Sequence, residues 1–276
     1  MRFVVAVGLF LCTGVAAVSD AAPAGDVISG LWTHLLIDGA PEEPRRLPVI
    51  YQGHTMASAE KLRVAAANAA REGTPIVLDI EHHPTDGSEI WWLDRHRDST
   101  EVFNRAENYF IDRLAVAQSV GATASLWSRP SQNQMLHIWK SGHRELREKY
   151  ANRWDDAARV LPLQDFVAIQ LYMPRDHRPY TEKGFPLSEW KARGDWFVNH
   201  ARRHGKPAML FLSPTWGGSK TPYIPPDWLI EVTSHFLQDG GSVCVWGGQG
   251  KTWDPSHPMC QALGRIVEES RRYAQP

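Results

Sequence analysis

The sequence has few cysteines, almost no net charge and no long apolar segment after its N-terminus. It contains 3 cysteines in 276 residues, too few for a disulfide-rich scaffold or a four-cysteine zinc site. The formal net charge is -1, which provides no basic surface for nucleic acid or an anionic membrane. No glycine-rich phosphate loop follows an apolar run, and no repeat or low-complexity linker divides the chain. We therefore expect one folded unit that binds neither nucleotides nor nucleic acid.

Residues 1–24 have the composition of a secretory signal peptide. Arg2 precedes an apolar run that ends near Val18, and small residues follow it. The run is shorter than the ~20 apolar residues that span a bilayer, which favours cleavage over a membrane anchor. Residues 25–276 would then be a secreted or periplasmic protein with no membrane attachment. Cleavage removes Cys12 and leaves Cys244 and Cys260, which an oxidising compartment would allow either to pair or to remain free.

Short apolar segments alternate with amphipathic ones along the remaining chain. The apolar segments, typical of buried parallel strands, are 31–37, 47–51, 75–81, 123–127, 166–173, 208–213 and 242–246. The amphipathic segments, typical of helices, are 58–71, 99–119, 132–159, 187–204 and 226–237. This alternation predicts an α/β fold with about seven parallel strands in one domain, 25–276. A single, distorted TIM-like (β/α) barrel accommodates seven such units better than an open sheet does.

Aromatic and polar residues stand where the predicted strands end. In a barrel enzyme the carboxyl ends of the strands form one rim, and that rim carries the active site. The 12 tryptophans are a further indication, since an indole in a loop is stabilised when a ligand covers its face. The candidate ligand-binding residues at this rim are Tyr51, Trp127, Gln170, Trp216 and Trp246, and the candidate catalytic residues are Asp79, Glu81 and Tyr172.

Asp79 and Glu81 are two residues apart at the end of one predicted strand, so both side chains are expected on one side of it. Two carboxyl groups so close together do not ionise independently, and the pKa of one is expected to rise, as a general acid requires. The alternative is a structural pair, in which one acid caps the next helix and the other meets an arginine. The aromatic rim around the pair favours catalysis.

The spacing of the two acids also bears on mechanism. Glycosidases that use two carboxylates place them on opposite sides of the scissile bond. Neighbours on one strand cannot do so, and a 2-acetamido group of the substrate could then act as the nucleophile. Glu81 would protonate the leaving oxygen while Asp79 holds the acetamido N–H. Such an enzyme needs neither a metal ion nor a cofactor.

Several short motifs resemble those of the animal-type hyaluronidases. Residues 79–84, Asp-Ile-Glu-His-His-Pro, are similar to the family's Asp-Trp-Glu-Glu-Trp-Arg-Pro. Residues 49–51 resemble its earlier Phe-Tyr strand end, 170–172 its Ser-Ile-Tyr, and 243–247 its Val-Ile-Trp-Gly. The order of the motifs agrees over most of the mature chain. The resemblance implies a seven-stranded distorted barrel that cleaves an acetamido-containing polysaccharide with retention of configuration.

The resemblance also implies roles for matching residues, with Tyr172 assisting the acetamido group beside Asp79 and Glu81. The family's second Glu, second Trp and Arg have no counterpart here, and its disulfide set is missing. Basic residues follow the rim aromatics: Arg129, Arg175, Lys220 and Lys251. They suit a polymer that contains uronic acid, although ordinary solvated loops would have the same composition.

Other functions are compatible with the same residues. A muramidase-like peptidoglycan hydrolase also uses Asp-x-Glu at a strand end, and a sugar-binding barrel without activity would need only the aromatic rings. A metal-dependent hydrolase is the remaining alternative, because His82 and His83 directly follow the two carboxylates and His54 follows the second predicted strand. The sequence leaves open the polymer and its linkage, internal or terminal cleavage, and the oligomeric state.

Overall fold

The structure is a computed structural model. It describes residues 24–53, 58–81, 100–127, 159–173, 187–218, 222–238 and 240–273. The predicted signal peptide lies almost wholly outside these ranges, and so does the predicted helix 132–159 except for its last residue.

A strand occurs in each of the seven segments that the sequence predicted. The strands are β1 (Gly30–Asp38), β2 (Val49–Tyr51), β3 (Ile76–Asp79), β4 (Ala124–Leu126), β5 (Val167–Gln170), β6 (Ala208–Leu212) and β7 (Ser242–Thr252). Every pairing between them is parallel. The prediction of an α/β fold with parallel strands is confirmed.

The strands form two sheets. One has the order β1-β7-β6-β5 and the other the order β2-β3-β4. Among the described residues, the two sheets are joined by two single parallel β-bridges, Thr33 with Arg46 and Trp127 with Ala168. The expected closed barrel is therefore not present as one continuous sheet. Strand length contributes to this, since the edge strands β2 and β4 have only three residues each and offer little backbone for a ladder to the other sheet.

Six α-helices lie in the described part of the chain, and four of them fall in segments that the sequence predicted as helical; the first and the last were not predicted. They are α1 (Ala24–Ile28), α2 (Ala59–Arg71), α3 (Thr100–Gln118), α4 (Leu187–Arg203), α5 (Pro226–Gln238) and α6 (Pro258–Tyr273). The Ser58 hydroxyl accepts a hydrogen bond from the Lys61 N–H and thereby caps the start of α2. Within the described ranges, no helix has the length and apolar character needed to cross a membrane.

The two faces of the sheets carry different clusters of buried side chains. Two clusters lie between strands and helices. The first, which we call the helix-facing cluster, joins β1, β5, β6 and β7 to α4, α5 and α6. The second joins β3 and β4 to α2 and α3. A third cluster, which we call the inner cluster, draws on both sheets but takes no residue from α2 to α6. We call the face of the strands that carries it the inner face. Because successive strand residues point to opposite faces, every second residue belongs to this inner cluster. Examples are Trp32, Val49, Val77, Ala168 and Cys244.

β7 is longer than the sequence predicted. The segment 247–250, expected as a loop, continues the strand as far as Thr252, because Lys251 and Thr252 pair with Ile37 and Asp38 of β1. The register of β1 with β7 shifts within this extension, between the pairs Leu35–Gly247 and Ile37–Lys251. Gly248 lies in the shifted part with a φ of +83°, and a Cβ there would lie 2.5 Å from Ile37 Cγ1. Only glycine meets both conditions without strain.

Cys244 and Cys260 are both free and buried, so the disulfide that the sequence allowed is not formed. Cys244 belongs to the inner cluster of the sheets. Cys260 lies on α6, whose neighbouring residues Met259 and Leu263 pack into the helix-facing cluster. The two thiols are thus on opposite faces of β7, which explains why they do not meet.

Candidate functional site

Most of the predicted site residues lie on the inner face, at the carboxyl ends of the strands. The alternation along each strand accounts for this placement, since each of these residues stands two or four positions after a member of the inner cluster. The residues that share this position are Tyr51 of β2, Asp79 of β3, Gln170 and Tyr172 at β5, and Trp246 of β7. Trp127, directly after β4, packs against the same cluster.

Three aromatic rings meet at this end of the inner face. The Tyr172 and Trp246 rings are stacked, with planes 5° apart and centroids 5.5 Å apart. The Trp127 ring lies 5.9 Å from Tyr172 and 5.5 Å from Trp246 between centroids. The edge of Phe211 supports Trp127 from β6, at 4.5 Å. We call Trp127, Tyr172 and Trp246 the aromatic cluster.

The Tyr172 hydroxyl is buried, and the negative charges of both predicted catalytic acids act on it. Tyr172 is 5% exposed, and no described residue forms a hydrogen bond with its hydroxyl oxygen. Burial raises the pKa of Tyr172 well above its ordinary value, and the nearby negative charges of Asp79 and Glu81 contribute to the rise. The hydroxyl therefore stays protonated at neutral pH and remains available as a donor.

Asp79 and Glu81 differ in burial and in local structure. Asp79 is the last residue of β3 and is 7% exposed, whereas Glu81 follows the end of the strand and is exposed. Gln52 connects the two positions: its N–H donates to the Asp79 carbonyl at 2.9 Å, and its side-chain Oε1 accepts from the Glu81 N–H at 2.9 Å.

A histidine that the sequence did not single out joins the site from β1. His34 is 5% exposed and lies opposite Trp246 in the pairing of β1 with β7. Its Nε2 lies 3.2 Å from the Tyr51 hydroxyl oxygen, which accepts a hydrogen bond from the Trp246 Nε1–H at 2.8 Å. The available signal was the alternation along β1, which places His34 on the same face as Trp32 of the inner cluster.

Trp216 lies apart from the aromatic cluster. It is 8% exposed, belongs to the helix-facing cluster and packs edge-on against Trp228 of α5. A turn after β6 causes this placement, because the Trp216 N–H donates to the Pro222 carbonyl in a short return of the chain. The expected sugar-binding role of Trp216 thus has no support from its position. Arg129, Arg175 and Lys220 lie outside the described residues, and Lys251 lies over the Tyr223 ring at 5.2 Å.

No metal-binding cluster occurs in the part of the chain that the structure describes. His54, His82 and His83, on which the metal alternative depends, lie outside that part. The described side chains can act in two other ways. Flat aromatic faces can pack on the apolar face of a ring-shaped ligand. The carboxylates and the protonated Tyr172 hydroxyl can exchange protons and hydrogen bonds with polar groups of that ligand.

Comparisons with known proteins identify no family for this chain. No family model matches it, and no curated protein matches it. Among solved structures, bee venom hyaluronidase in complex with a hyaluronic acid tetramer has a TM-score of 0.49 at 10% identity, over 89% of this chain and 100% of that one. A second structure of bee venom hyaluronidase has a TM-score of 0.48 at 10% identity, over 88% and 96%. D-psicose 3-epimerase in the presence of D-fructose has a TM-score of 0.43 at 10% identity, over 87% and 98%. Likenesses at this level assign neither fold nor function to the chain.

Proposed function

We propose that the chain is an exported glycoside hydrolase that cleaves a polysaccharide containing acetamido sugars. Its two sheets would be the two arcs of one distorted (β/α) barrel formed by residues 25–276, after removal of the signal peptide 1–24. The site would lie at the carboxyl ends of the strands, as in other barrel enzymes. A hyaluronan-like glycosaminoglycan is the substrate that the sequence motifs suggest.

One observation carries this proposal. The protonated hydroxyl of Tyr172 lies within electrostatic reach of both Asp79 and Glu81, and its own ring is part of the aromatic cluster. Proton donors, carboxylates and aromatic faces are thus concentrated at one end of the inner face. This combination suits a sugar, whose ring has apolar faces and a polar edge.

The chemical step would use the acetamido group of the substrate. Its carbonyl oxygen attacks the anomeric carbon, the glycosidic C–O bond breaks, and Glu81 gives its proton to the leaving oxygen. Asp79 accepts a hydrogen bond from the acetamido N–H, and the Tyr172 hydroxyl donates one to the acetamido oxygen. Water then opens the resulting oxazolinium ion, with the Glu81 carboxylate taking the proton from the water. Two displacements at one carbon retain its configuration.

The exposure of Glu81 agrees with the role of proton donor. A donor must reach the glycosidic oxygen, which lies outside the sugar ring, whereas a residue that holds the acetamido group must lie deeper. Asp79 is buried, whereas Glu81, two residues later, is exposed. The Gln52 side chain fixes the Glu81 backbone through the bond to its N–H.

The test is product analysis with purified protein that begins at residue 25. Hyaluronan, chondroitin, chitin and peptidoglycan are incubated separately, and new reducing ends, product masses and the anomeric configuration are measured. We expect cleavage of an acetamido polymer with retention. Glu81→Gln should lose ~100-fold or more in turnover, as removal of a general acid does, with affinity retained. The exposed Glu268 of α6 provides the matched control, and Glu268→Gln should be fully active.

Other results would reject the proposal in distinct ways. An inverted product, or a sugar ester trapped on an Asp or Glu side chain, excludes the acetamido mechanism. Cleavage of peptidoglycan alone indicates a muramidase-like enzyme. Binding without cleavage of any polymer indicates a sugar-binding protein, and full activity of Glu81→Gln removes Glu81 from the mechanism.

A further inference from the structure

His34 is buried at the end of the inner face that carries the aromatic cluster. It lies on β1, is 5% exposed and pairs in register with Trp246. It belongs to none of the chemical steps above. A buried imidazole needs partners for both ring nitrogens, and the identity of these partners decides which nitrogen carries the hydrogen.

The partners of His34 determine which group donates and which accepts in each hydrogen bond between Leu47 and Trp246. Its Nδ1 lies 2.8 Å from the Leu47 carbonyl oxygen, which can only accept, so Nδ1 carries the hydrogen. The Nε2 of the neutral ring is then an acceptor, and the Tyr51 hydroxyl donates to it at 3.2 Å. The Tyr51 oxygen in turn accepts from the Trp246 Nε1–H at 2.8 Å, since an indole can only donate.

The chain of bonds is consistent with a neutral imidazole. The pKa of His34 is lowered from 6.5 to about 4, mainly by burial. The hydrogen bond to the Leu47 carbonyl raises this pKa, and the positive charge of Arg46 lowers it further. Two other charged groups lie near these hydrogen bonds. Glu43 accepts from the Leu35 N–H of β1, and the charge of Asp79 acts on Tyr51. A proton on Nε2 would remove the acceptor that Tyr51 uses.

We propose that His34 is a positioning residue of the candidate site, which holds the Trp246 indole parallel to the Tyr172 ring through the Tyr51 hydroxyl. Leu47 anchors the imidazole, the imidazole orients Tyr51, and Tyr51 orients Trp246. Trp246 is only partly buried and Tyr51 is 40% exposed, so packing alone leaves both side chains room to turn. The inference rests on the proposed function for its consequence, sugar binding, but not for the geometry.

The first part of the test is nuclear magnetic resonance and needs no activity. Long-range proton–nitrogen spectra of the imidazoles at pH 7 should show His34 with its hydrogen on Nδ1 and no second proton above pH 5. The indole N–H signal of Trp246, assigned by its loss in Trp246→Phe, should exchange slowly with solvent. In His34→Phe this exchange should be at least tenfold faster.

Two further variants keep the test decisive. His34→Gln can present an acceptor to Tyr51 and should keep most of the slow exchange of the Trp246 N–H. His235→Gln changes a histidine of α5 whose side chain contacts Asp195 instead, and it should change nothing at Trp246. If His34→Phe fails to fold, Tyr51→Phe interrupts the same chain at its middle and should accelerate the exchange equally.

The second part measures function with a hyaluronan octasaccharide as the probe. In His34→Phe we expect KM to rise about tenfold while kcat changes by less than threefold, with recovery in His34→Gln. A hydrogen on Nε2 at pH 7, or unchanged exchange at Trp246 in both His34→Phe and Tyr51→Phe, would overturn the inference. If wild-type protein neither binds nor cleaves the octasaccharide or any other polymer of the panel, the proposed function fails, and the resonance data still decide whether His34 positions Trp246.

Discussion

The rings of Tyr172 and Trp246 are parallel within 5° and 5.5 Å apart, although their strands are not neighbours. Tyr172 follows β5 and Trp246 belongs to β7, and β6 lies between these strands in the sheet. Trp246 covers one face of the Tyr172 ring, and the Tyr172 hydroxyl is buried. Each ring therefore shields one face of the other from solvent: Trp246 covers Tyr172, and Tyr172 packs against the Trp246 indole.

Removal of the Tyr172 hydroxyl should affect turnover more than binding or stability. Tyr172→Phe preserves the stack and deletes a buried group without a hydrogen-bond partner among the described residues, so the thermal midpoint should stay the same or rise slightly. Turnover of the cleaved polymer should fall by about 100-fold, the order expected when an attacking group is no longer held in position, because the hydroxyl orients the acetamido oxygen towards the anomeric carbon. Steady-state kinetics measures this, with Tyr109→Phe on α3 as control. Unchanged turnover would exclude the role in catalysis.

Asp79 should contribute to the same step through the acetamido N–H. Asp79→Asn retains the size of the side chain but replaces the carboxylate by a weaker acceptor, so kcat should fall at least tenfold, within the range for a lost hydrogen bond to a charged group. The comparison of interest is a substrate from which the acetyl groups have been removed. That substrate lacks the proposed nucleophile and should bind without being cleaved, so its binding is measured. If Asp79→Asn weakened the binding of that substrate and of the acetylated one equally, Asp79 would not be contacting the acetamido group.

The Gln52 side chain should determine how firmly Glu81 is held. Gln52→Ala removes the acceptor of the Glu81 N–H and costs about 1 kcal/mol locally, so exchange of that N–H with solvent should become about five times faster. The value of kcat should fall, because Glu81 samples more positions. Gln261→Ala is the control, since it removes a similar side-chain bond, to the Pro255 carbonyl, at the start of α6. Equal exchange rates in wild type and Gln52→Ala would contradict the geometry.

Acid should destabilise the fold through His34. Its pKa is about 4 when folded and 6.5 when exposed, so above pH 6.5 the imidazole is neutral in both states and contributes no pH dependence. As the pH falls from 6.5 to 4, the unfolded chain takes up a proton that the folded chain does not, and the free energy of unfolding decreases by up to about 3 kcal/mol. Urea unfolding of wild type and His34→Gln between pH 7 and 4 measures this. Identical pH dependence in the two proteins would disprove it.

The two thiols should be free and poorly reactive in the folded protein. Burial raises the pKa of Cys244 well above its ordinary value, so little thiolate is present at neutral pH. Iodoacetamide without reductant should label the folded chain 25–276 slowly and should add two groups after unfolding in urea. Mass spectrometry gives the count. No labelling after unfolding, with a mass two units lower than expected for free thiols, would indicate a disulfide.

A glycine in α4 should be required for the packing of α4 against α5. A Cβ at Gly194 would overlap the Phe236 ring and would lie 2.8 Å from Leu171 Cδ2. Gly194→Ala should therefore reduce the free energy of unfolding by about 1–3 kcal/mol, the usual cost of overpacking. Gly264 of α6 is the matched control, because its Cβ would meet nothing within 4 Å, and Gly264→Ala should stabilise the protein by up to about 1 kcal/mol. Urea unfolding distinguishes the two, and equal effects would contradict this packing.

The sequence by itself determined the order and kind of the elements and the face on which most site residues lie. Buried parallel strands are short apolar runs, and their period of two decides which residues share a face before any partner is known. Tyr51, Asp79, Gln170, Tyr172 and Trp246 could be grouped without a structure because each stands at or near the end of a predicted strand, and parallel strands of a barrel end at one rim. Strand limits were less predictable: β5 ends at Gln170 and β7 continues to Thr252, because the available partner strand decides where pairing stops.

Only the tertiary structure decided which of these side chains touch. The bond from Trp246 to Tyr51 and that from Tyr51 to His34 depend on the register of β1 with β7 and on the approach of β2 to β1, neither of which a local pattern encodes. The turn after β6 directed Trp216 towards the helices, and the two faces of β7 separated Cys244 from Cys260. Local periodicity acts through residues close in sequence, whereas contacts between distant residues depend on how whole strands and helices pack.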